Sequence, residues 1–131
     1  MIETPEKIEL TTSSIYLDSS GILHVVYKNG VEMGFEEAKL HAEACCKLCD
    51  GQMSLFLIDA RNVSSIMDPS AREHLAQAPG LVEIRKAVAV IVDSLPNRMI
   101  ANFYHRFNKP KGPLKVFNSE KDALAWLSKY K

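Results

Sequence analysis

The chain has 131 residues, of which 47% are hydrophobic and 24% are charged, and its sixteen basic residues balance sixteen acidic ones. This length predicts one domain, residues 1–131, that can bury its own core without disulfides. The neutral total shows no bias toward nucleic acid, and no run approaches the ~20 apolar residues of a membrane span. The first ten residues contain three acids and no apolar stretch, so they do not resemble a secretory signal. We therefore expect a cytoplasmic protein that binds no nucleic acid and has no membrane span.

Charge is divided unevenly along the chain. Residues 1–50 contain nine acids and four bases, whereas residues 94–131 contain two acids and eight bases, which gives local net charges of −5 and +6. This asymmetry indicates complementary surfaces, either within the molecule or between copies of it. The alternative is an ordinary solvated surface of mixed charge.

Two β-type runs, residues 8–17 and 22–27, flank the turn residues 18–21 and predict an N-terminal hairpin, which residues 31–33 are candidates to extend. The period then becomes helical over residues 35–49, and Gly51 is suited to the left-handed C-terminal cap of this helix. The residues that share its apolar face are Phe35, Ala38, Ala42, Cys45, Cys46 and Cys49.

Two further apolar runs predict strands that are buried on both faces, at residues 53–58 and 87–92. Between them, Asp68 and Pro69 predict the start of a helix, which Pro79 and Gly80 end. The inward stripe of this helix is Ala71, Leu75 and Ala78.

The last third of the chain contains one more helix, one more strand and a final helix. The third helix begins after Leu95-Pro96, and its apolar residues are Met99, Ile100, Phe103 and Phe107. Residues 109–113 are incompatible with a helix, and residues 114–117 predict a short strand. Ser119 and Asp122 form a start similar to a capping box, and the final helix turns Ala123, Trp126, Leu127 and Tyr130 inward. The element order predicts an α/β fold with a mostly parallel central sheet, an N-terminal β-hairpin and about four helices.

The central stretch NVSSIMDPS, placed where an apolar strand passes into a helix, resembles the STAS domain, in particular the SpoIIAA-like anti-sigma-factor antagonists of bacteria. Their usual pattern is Asn-Val-Ser, a short apolar link, and Met-Asp-Ser-Ser-Gly at a helix start. This chain follows that pattern with one extra residue, from Asn62 to Ala71. The C-terminal stretch RMIANFYHRFNKPKGPLKVFNSEKDALAWL is similar to that of small bacterial proteins of the STAS/SEC14 type. The resemblance covers nearly the whole chain and implies a SpoIIAA-like fold.

The resemblance also implies that the loop after the central strand is a switch or an interaction site. Family antagonists are phosphorylated on the serine directly after the aspartate, but that position here is Pro69, which cannot accept a phosphate. Ser70 lies one residue later at a helix start, where backbone N–H groups favour a phosphate, although a plain capping role explains it as well. The candidate residues of this loop are Asp59, Ser64, Ser65, Asp68 and Ser70.

A second candidate surface is basic. Residues 94–119 contain no acid, and Arg98, Arg106, Lys109 and Lys111 make this segment a candidate surface for an anion or an acidic partner. Exposed aromatics in the same segment, such as Phe103 or Tyr104, are suited to contacts in a homodimer. The alternative is that these aromatics cover the sheet.

Neither the cysteines nor the histidines form a catalytic or metal-binding pattern. Cys46 and Cys49 form a C-x-x-C at the C-terminal end of a helix, whereas redox enzymes place this motif at a helix N-terminus, so we interpret these thiols as core residues. The four histidines are distributed over four elements, and no second pair completes a zinc site. We expect no cofactor, no metal and no enzymatic activity.

The sequence therefore predicts a non-catalytic regulatory module that binds a protein partner and forms a homodimer. The alternative is a small-molecule or lipid-binding module of the SEC14-like kind, because the apolar helices could line a groove. An enzyme whose catalytic residues are brought together only in space is a third hypothesis.

Overall fold

The computed structural model describes residues 7–28, 33–61, 69–93 and 113–131. Its strands are β1 (Lys7–Glu9), β2 (Ser13–Leu17), β3 (Ile22–Tyr27), β4 (Ser54–Asp59), β5 (Arg85–Ile91) and β6 (Leu114–Phe117). Its helices are α1 (Phe35–Cys49), α2 (Pro69–Gln77), the short α3 (Leu81–Ile84) and α4 (Glu120–Leu127), which a 3-10 turn (Ser128–Tyr130) follows.

The six strands form one mixed sheet in the order β1-β2-β3-β4-β5-β6. The pairs β1–β2 and β2–β3 are antiparallel, and Ile15 lies opposite Val25 in the second of them. The pairs β3–β4, β4–β5 and β5–β6 are parallel, with Phe56 between Leu23 and Val88. This arrangement confirms the predicted α/β class, the mostly parallel sheet and the N-terminal hairpin.

Helices cover both faces of this sheet. On one face, α1, α2 and α3 pack over residues such as Val25 and Phe56. On the other face, Ala123 and Leu127 of α4 pack against Leu55 and Leu57 of β4. Because successive side chains of a strand point to opposite faces, β4 contributes to both clusters, which explains its continuous apolar sequence.

The first predicted strand was wrong in one respect, because residues 8–17 form two strands instead of one. The backbone reverses between them, where the N–H of Leu10 donates to the carbonyl of Ser13 at 2.8 Å. This reversal places Ile8 opposite Ile15. Both side chains then contact the same core cluster, with Ile15 fully buried in it and Ile8 partly buried against it.

The helix boundaries agree closely with the expected ones. Helix α1 spans 35–49 as predicted, and Asp50 (φ 50°) and Gly51 (φ 75°) both adopt the left-handed conformation that ends it. Helix α2 starts at Pro69, as the missing N–H of proline favours. The short α3 was not predicted, since four residues are too few to show a period. The predicted third helix, after Leu95, lies outside the described residues, as does most of the 31–33 extension.

Two apolar residues that we expected in the core lie on the surface. Phe35, which we expected on the buried face of α1, is 42% exposed, and Met53, expected in the central strand, precedes β4 and is 63% exposed. Both occupy the end of an apolar run, where the neighbouring elements no longer cover the side chain.

Candidate functional site

The carboxyl ends of the parallel strands meet at one edge of the sheet, where α/β proteins usually bind their ligands and partners. Strand β4 ends there at Asp59, and Asp93 follows the adjacent β5. Helix α1 begins shortly after the carboxyl end of β3, and α2 begins after the loop that follows β4. We call this region the carboxyl edge.

Asp59 and Arg61 form a bidentate ion pair at the carboxyl edge. The Nε of Arg61 donates to Oδ1 of Asp59 at 3.0 Å and an Nη donates to Oδ2 at 2.7 Å, while the backbone N–H of Arg61 also donates to Oδ1 at 3.1 Å. These bonds lower the pKa of Asp59, although its partial burial acts in the opposite direction. The pair is therefore charged at neutral pH and holds the backbone at the point where β4 ends.

The guanidinium of Arg61 also lies in the field of two further acids. The carboxylate of Asp59 raises the pKa of Arg61 most strongly, and Glu120 and Asp93 raise it further. The acids at the ends of β4 and β5 and in the first turn of α4 thus all favour the charged form of Arg61. Its side chain remains 41% exposed, so the ion pair is screened by solvent and contributes little to stability.

The structure describes two of the five candidate loop residues, Asp59 and Ser70. Ser70 is exposed in the first turn of α2, directly after Pro69. Ser64, Ser65 and Asp68 lie outside the described residues. The four bases of the candidate basic surface, Arg98, Arg106, Lys109 and Lys111, lie outside them too.

An aromatic stack beside Ser70 was not predicted from the sequence. The ring of Phe35, at the start of α1, lies 5.0 Å from the imidazole of His74 on α2, with 26° between the two planes. His74 follows Ser70 by one helical turn, so the two side chains share a face of α2. The stack places an exposed aromatic ring next to the start of α2. Local spacing carries no signal for it, because the two rings belong to helices that are far apart in the sequence.

The cysteines have the properties of core residues. Cys45 and Cys49 are buried and Cys46 is half-buried. Burial raises the pKa of all three thiols, to about 12 for Cys45, although Arg85 lowers the pKa of Cys45 and Cys46 in part. A raised thiol pKa is the reverse of what a redox or nucleophilic cysteine needs.

Two histidines make specific contacts at the hairpin, one from within it and one from α1. Nε2 of His24 lies 2.8 Å from Oδ2 of Asp18, and its ring stacks on Tyr16, its partner on the adjacent strand. Nδ1 of the buried His41 lies 3.4 Å from Oγ of Ser13. This second contact joins residues 28 positions apart, so the sequence did not reveal it. Within the part of the chain that the structure describes, no group of three or more His, Cys, Asp or Glu side chains is arranged to hold a metal ion.

Solved structures show which fold this is. The crystal structure of an uncharacterized DUF3478-family protein with a SpoIIAA-like fold, from Shewanella loihica PV-4, superposes with a TM-score of 0.58. The two chains are 16% identical, and the match covers 95% of this chain and 92% of that chain. A protein with unknown function from Arthrobacter sp. FB24 is 25% identical over 87% of this chain and 97% of that chain, with a TM-score of 0.34. The first likeness confirms the predicted SpoIIAA-like fold.

Sequence comparison adds the family. No curated protein is significantly similar in sequence to the chain. Among the residues described, no helix has the length and apolar character needed to cross a membrane. The family described as a domain of unknown function, DUF7793, matches residues 15–131, which is most of the chain. The chain therefore belongs to the DUF7793 family and has a SpoIIAA-like fold.

Proposed function

We propose that the chain is a non-catalytic regulatory module that binds a protein partner through the carboxyl edge. The observation that carries this proposal is the exposed start of α2, where Ser70 lies beside the Phe35–His74 stack. The sequence around this helix start resembles the functional loop of anti-sigma-factor antagonists. An exposed aromatic ring on a rigid helix is a common anchor in protein interfaces.

The start of α2 also indicates that this interaction is not controlled by phosphorylation at the position used in the family antagonists. Pro69 occupies the position of the family phosphoacceptor and begins α2. Ser70 is exposed but lies one residue further into the helix, which moves its hydroxyl about 100° around the helix axis. A kinase that recognises the family geometry would therefore not find its hydroxyl here. Mass spectrometry of protein from its native host tests this point, and a stoichiometric phosphate on Ser70 would contradict it.

Affinity purification from the native host tests the proposed function. Ser70→Arg adds a long charged side chain to an exposed position at the start of α2. The control, Lys129→Glu, changes the charge of an exposed residue in the 3-10 turn after the C-terminal end of α4, away from the carboxyl edge. We expect a specific protein partner whose recovery Ser70→Arg reduces about tenfold and Lys129→Glu leaves unchanged. Equal retention by both variants, or no specific partner, would contradict the proposal. Acyl chains that copurify with the wild type would instead support the alternative prediction of a lipid-binding module.

A further inference from the structure

His41 occupies the layer between α1 and the N-terminal hairpin. Its side chain is 4% exposed, and its ring stacks on Tyr27 of β3 with 5.8 Å between centroids and 2° between planes. Its Nδ1 lies 3.4 Å from Oγ of Ser13 on β2, a residue that is itself fully buried. The imidazole therefore contacts both strands of the hairpin from the helix that covers them.

The surroundings of His41 favour the neutral ring. Its hydrogen-bond partner is a hydroxyl instead of a carboxylate, so nothing in that bond neutralises a positive charge. The groups that face it are Glu37 and Cys45, one turn away on either side in α1, Ser13 on β2, Tyr27 on β3 and the cationic Arg85 at the start of β5. Burial lowers the pKa of His41 to about 4, and Arg85 lowers it further.

We propose that His41 is an acid-sensitive latch, which holds α1 against the β2–β3 hairpin while it is neutral and releases this contact when it is protonated. The hairpin is the part of the molecule where such a release requires the least disruption, because only the three-residue edge strand β1 covers the outer side of β2. Strands β4 and β5 lie on the far side of β3 from this edge and stay folded.

The pH range of the latch follows from the direction of the shift. The folded state disfavours the protonated form of His41. The contact between neutral His41 and the hairpin is therefore fully stabilising above the ordinary pKa of 6.5, and this stabilisation is lost as the pH falls toward about 4. Between pH 8 and pH 5, linkage predicts that the equilibrium constant for releasing α1 rises about thirtyfold. Carboxylates with lowered pKa values, such as that of Asp18, remain charged in this range.

Hydrogen exchange at pH 7 and pH 5, corrected for intrinsic amide rates, tests the latch. We expect protection of amides in α1, β2 and β3 to fall at pH 5 by more than tenfold, while protection in β4 and β5 changes little. His41→Gln removes the titrating group, and the variant should lose this pH dependence. His24→Gln and His74→Gln, which change two other histidines that the structure describes, should keep it.

A second measurement uses the wild-type protein and therefore remains informative if His41→Gln does not fold. In an NMR titration of the wild-type protein, the His41 ring signals should titrate well below pH 6.5, and local exchange should increase as the pH falls from 6.5 toward the midpoint of that titration. The latch is refuted if His41 titrates near 6.5, if all elements lose protection together, or if His41→Gln folds and keeps the wild-type pH dependence.

Discussion

Alkylation of the three thiols of α1 tests whether the C-x-x-C is a core feature or a reactive site. Burial raises the pKa of Cys45 from 9.0 to about 12. At pH 8 its thiolate fraction is then lower by about a thousandfold, and the thiolate is the species that iodoacetamide attacks. Cys49 is also buried with a raised pKa, whereas Cys46 is only half-buried. We therefore predict that Cys46 reacts first and that Cys45 and Cys49 react only when the domain opens.

Mass spectrometry of the intact protein, followed by peptide mapping, measures these rates at pH 8 in buffer and in urea. In buffer one label should enter at Cys46, and three should enter rapidly in urea. The variant Cys46→Ser should take up almost no label while folded, and the matched variant Cys45→Ser should still be labelled at Cys46. Rapid labelling of Cys45 or Cys49 in the folded wild type would refute the reasoning. A Cys46–Cys49 disulfide formed under mild oxidation would refute it too.

Four further predictions concern stability and assembly. Ser119→Ala removes the oxygen that accepts from the N–H of Asp122 at 3.3 Å, so thermal unfolding should show a loss of about 1 kcal/mol, and an unchanged midpoint would contradict this capping role. Phe56→Ala empties a buried central position and should cost about 3–5 kcal/mol in urea titrations, whereas a loss below 1 kcal/mol would mean that this core is less tightly packed. The pKa of Asp59 is lowered, so its solvent-screened ion pair gives a small stabilisation above the ordinary pKa of 3.8, and this stabilisation is lost as the pH falls below it. In urea titrations at several pH values, Asp59→Asn should slightly flatten that part of the stability curve, and a variant with an unchanged curve would contradict the pairing. Light scattering should give the mass of a homodimer, and a mass near 14.6 kDa would contradict that prediction.

Local patterns predicted most of the regular elements of the described chain, apart from the short α3 and the division of residues 8–17 into two strands. The period of apolar residues gave the bounds of α1, and a short β-type run gave those of β6. The hydroxyl of Ser119 and the ring of Pro69 marked two helix starts, because capping depends on residues that are close together in the sequence.

Contacts between distant residues could not be predicted in the same way. The Phe35–His74 stack and the Ser13–His41 contact depend on how α1 packs against α2 and the hairpin. The reversal at Leu10 was missed because the residues before and after it have the same β-type pattern. The two strands can be told apart only by their pairing, which places Ile8 opposite Ile15. The sequence therefore predicted the candidate site as one segment of the chain. The exposed aromatic ring of Phe35 could be assigned to that site only from the tertiary structure.

Site-specific photo-crosslinking tests whether a protein partner binds at the carboxyl edge. A photoreactive amino acid replaces Ser70 at the carboxyl edge, or Lys129 near the exposed C-terminal end of the chain as a control, in protein expressed in the native host. We expect the Ser70 position to crosslink one discrete partner protein and Phe35→Ser to remove most of this product, while the Lys129 position should not form it. Crosslinking of the same protein from both positions, or from neither, would contradict an interaction through the carboxyl edge.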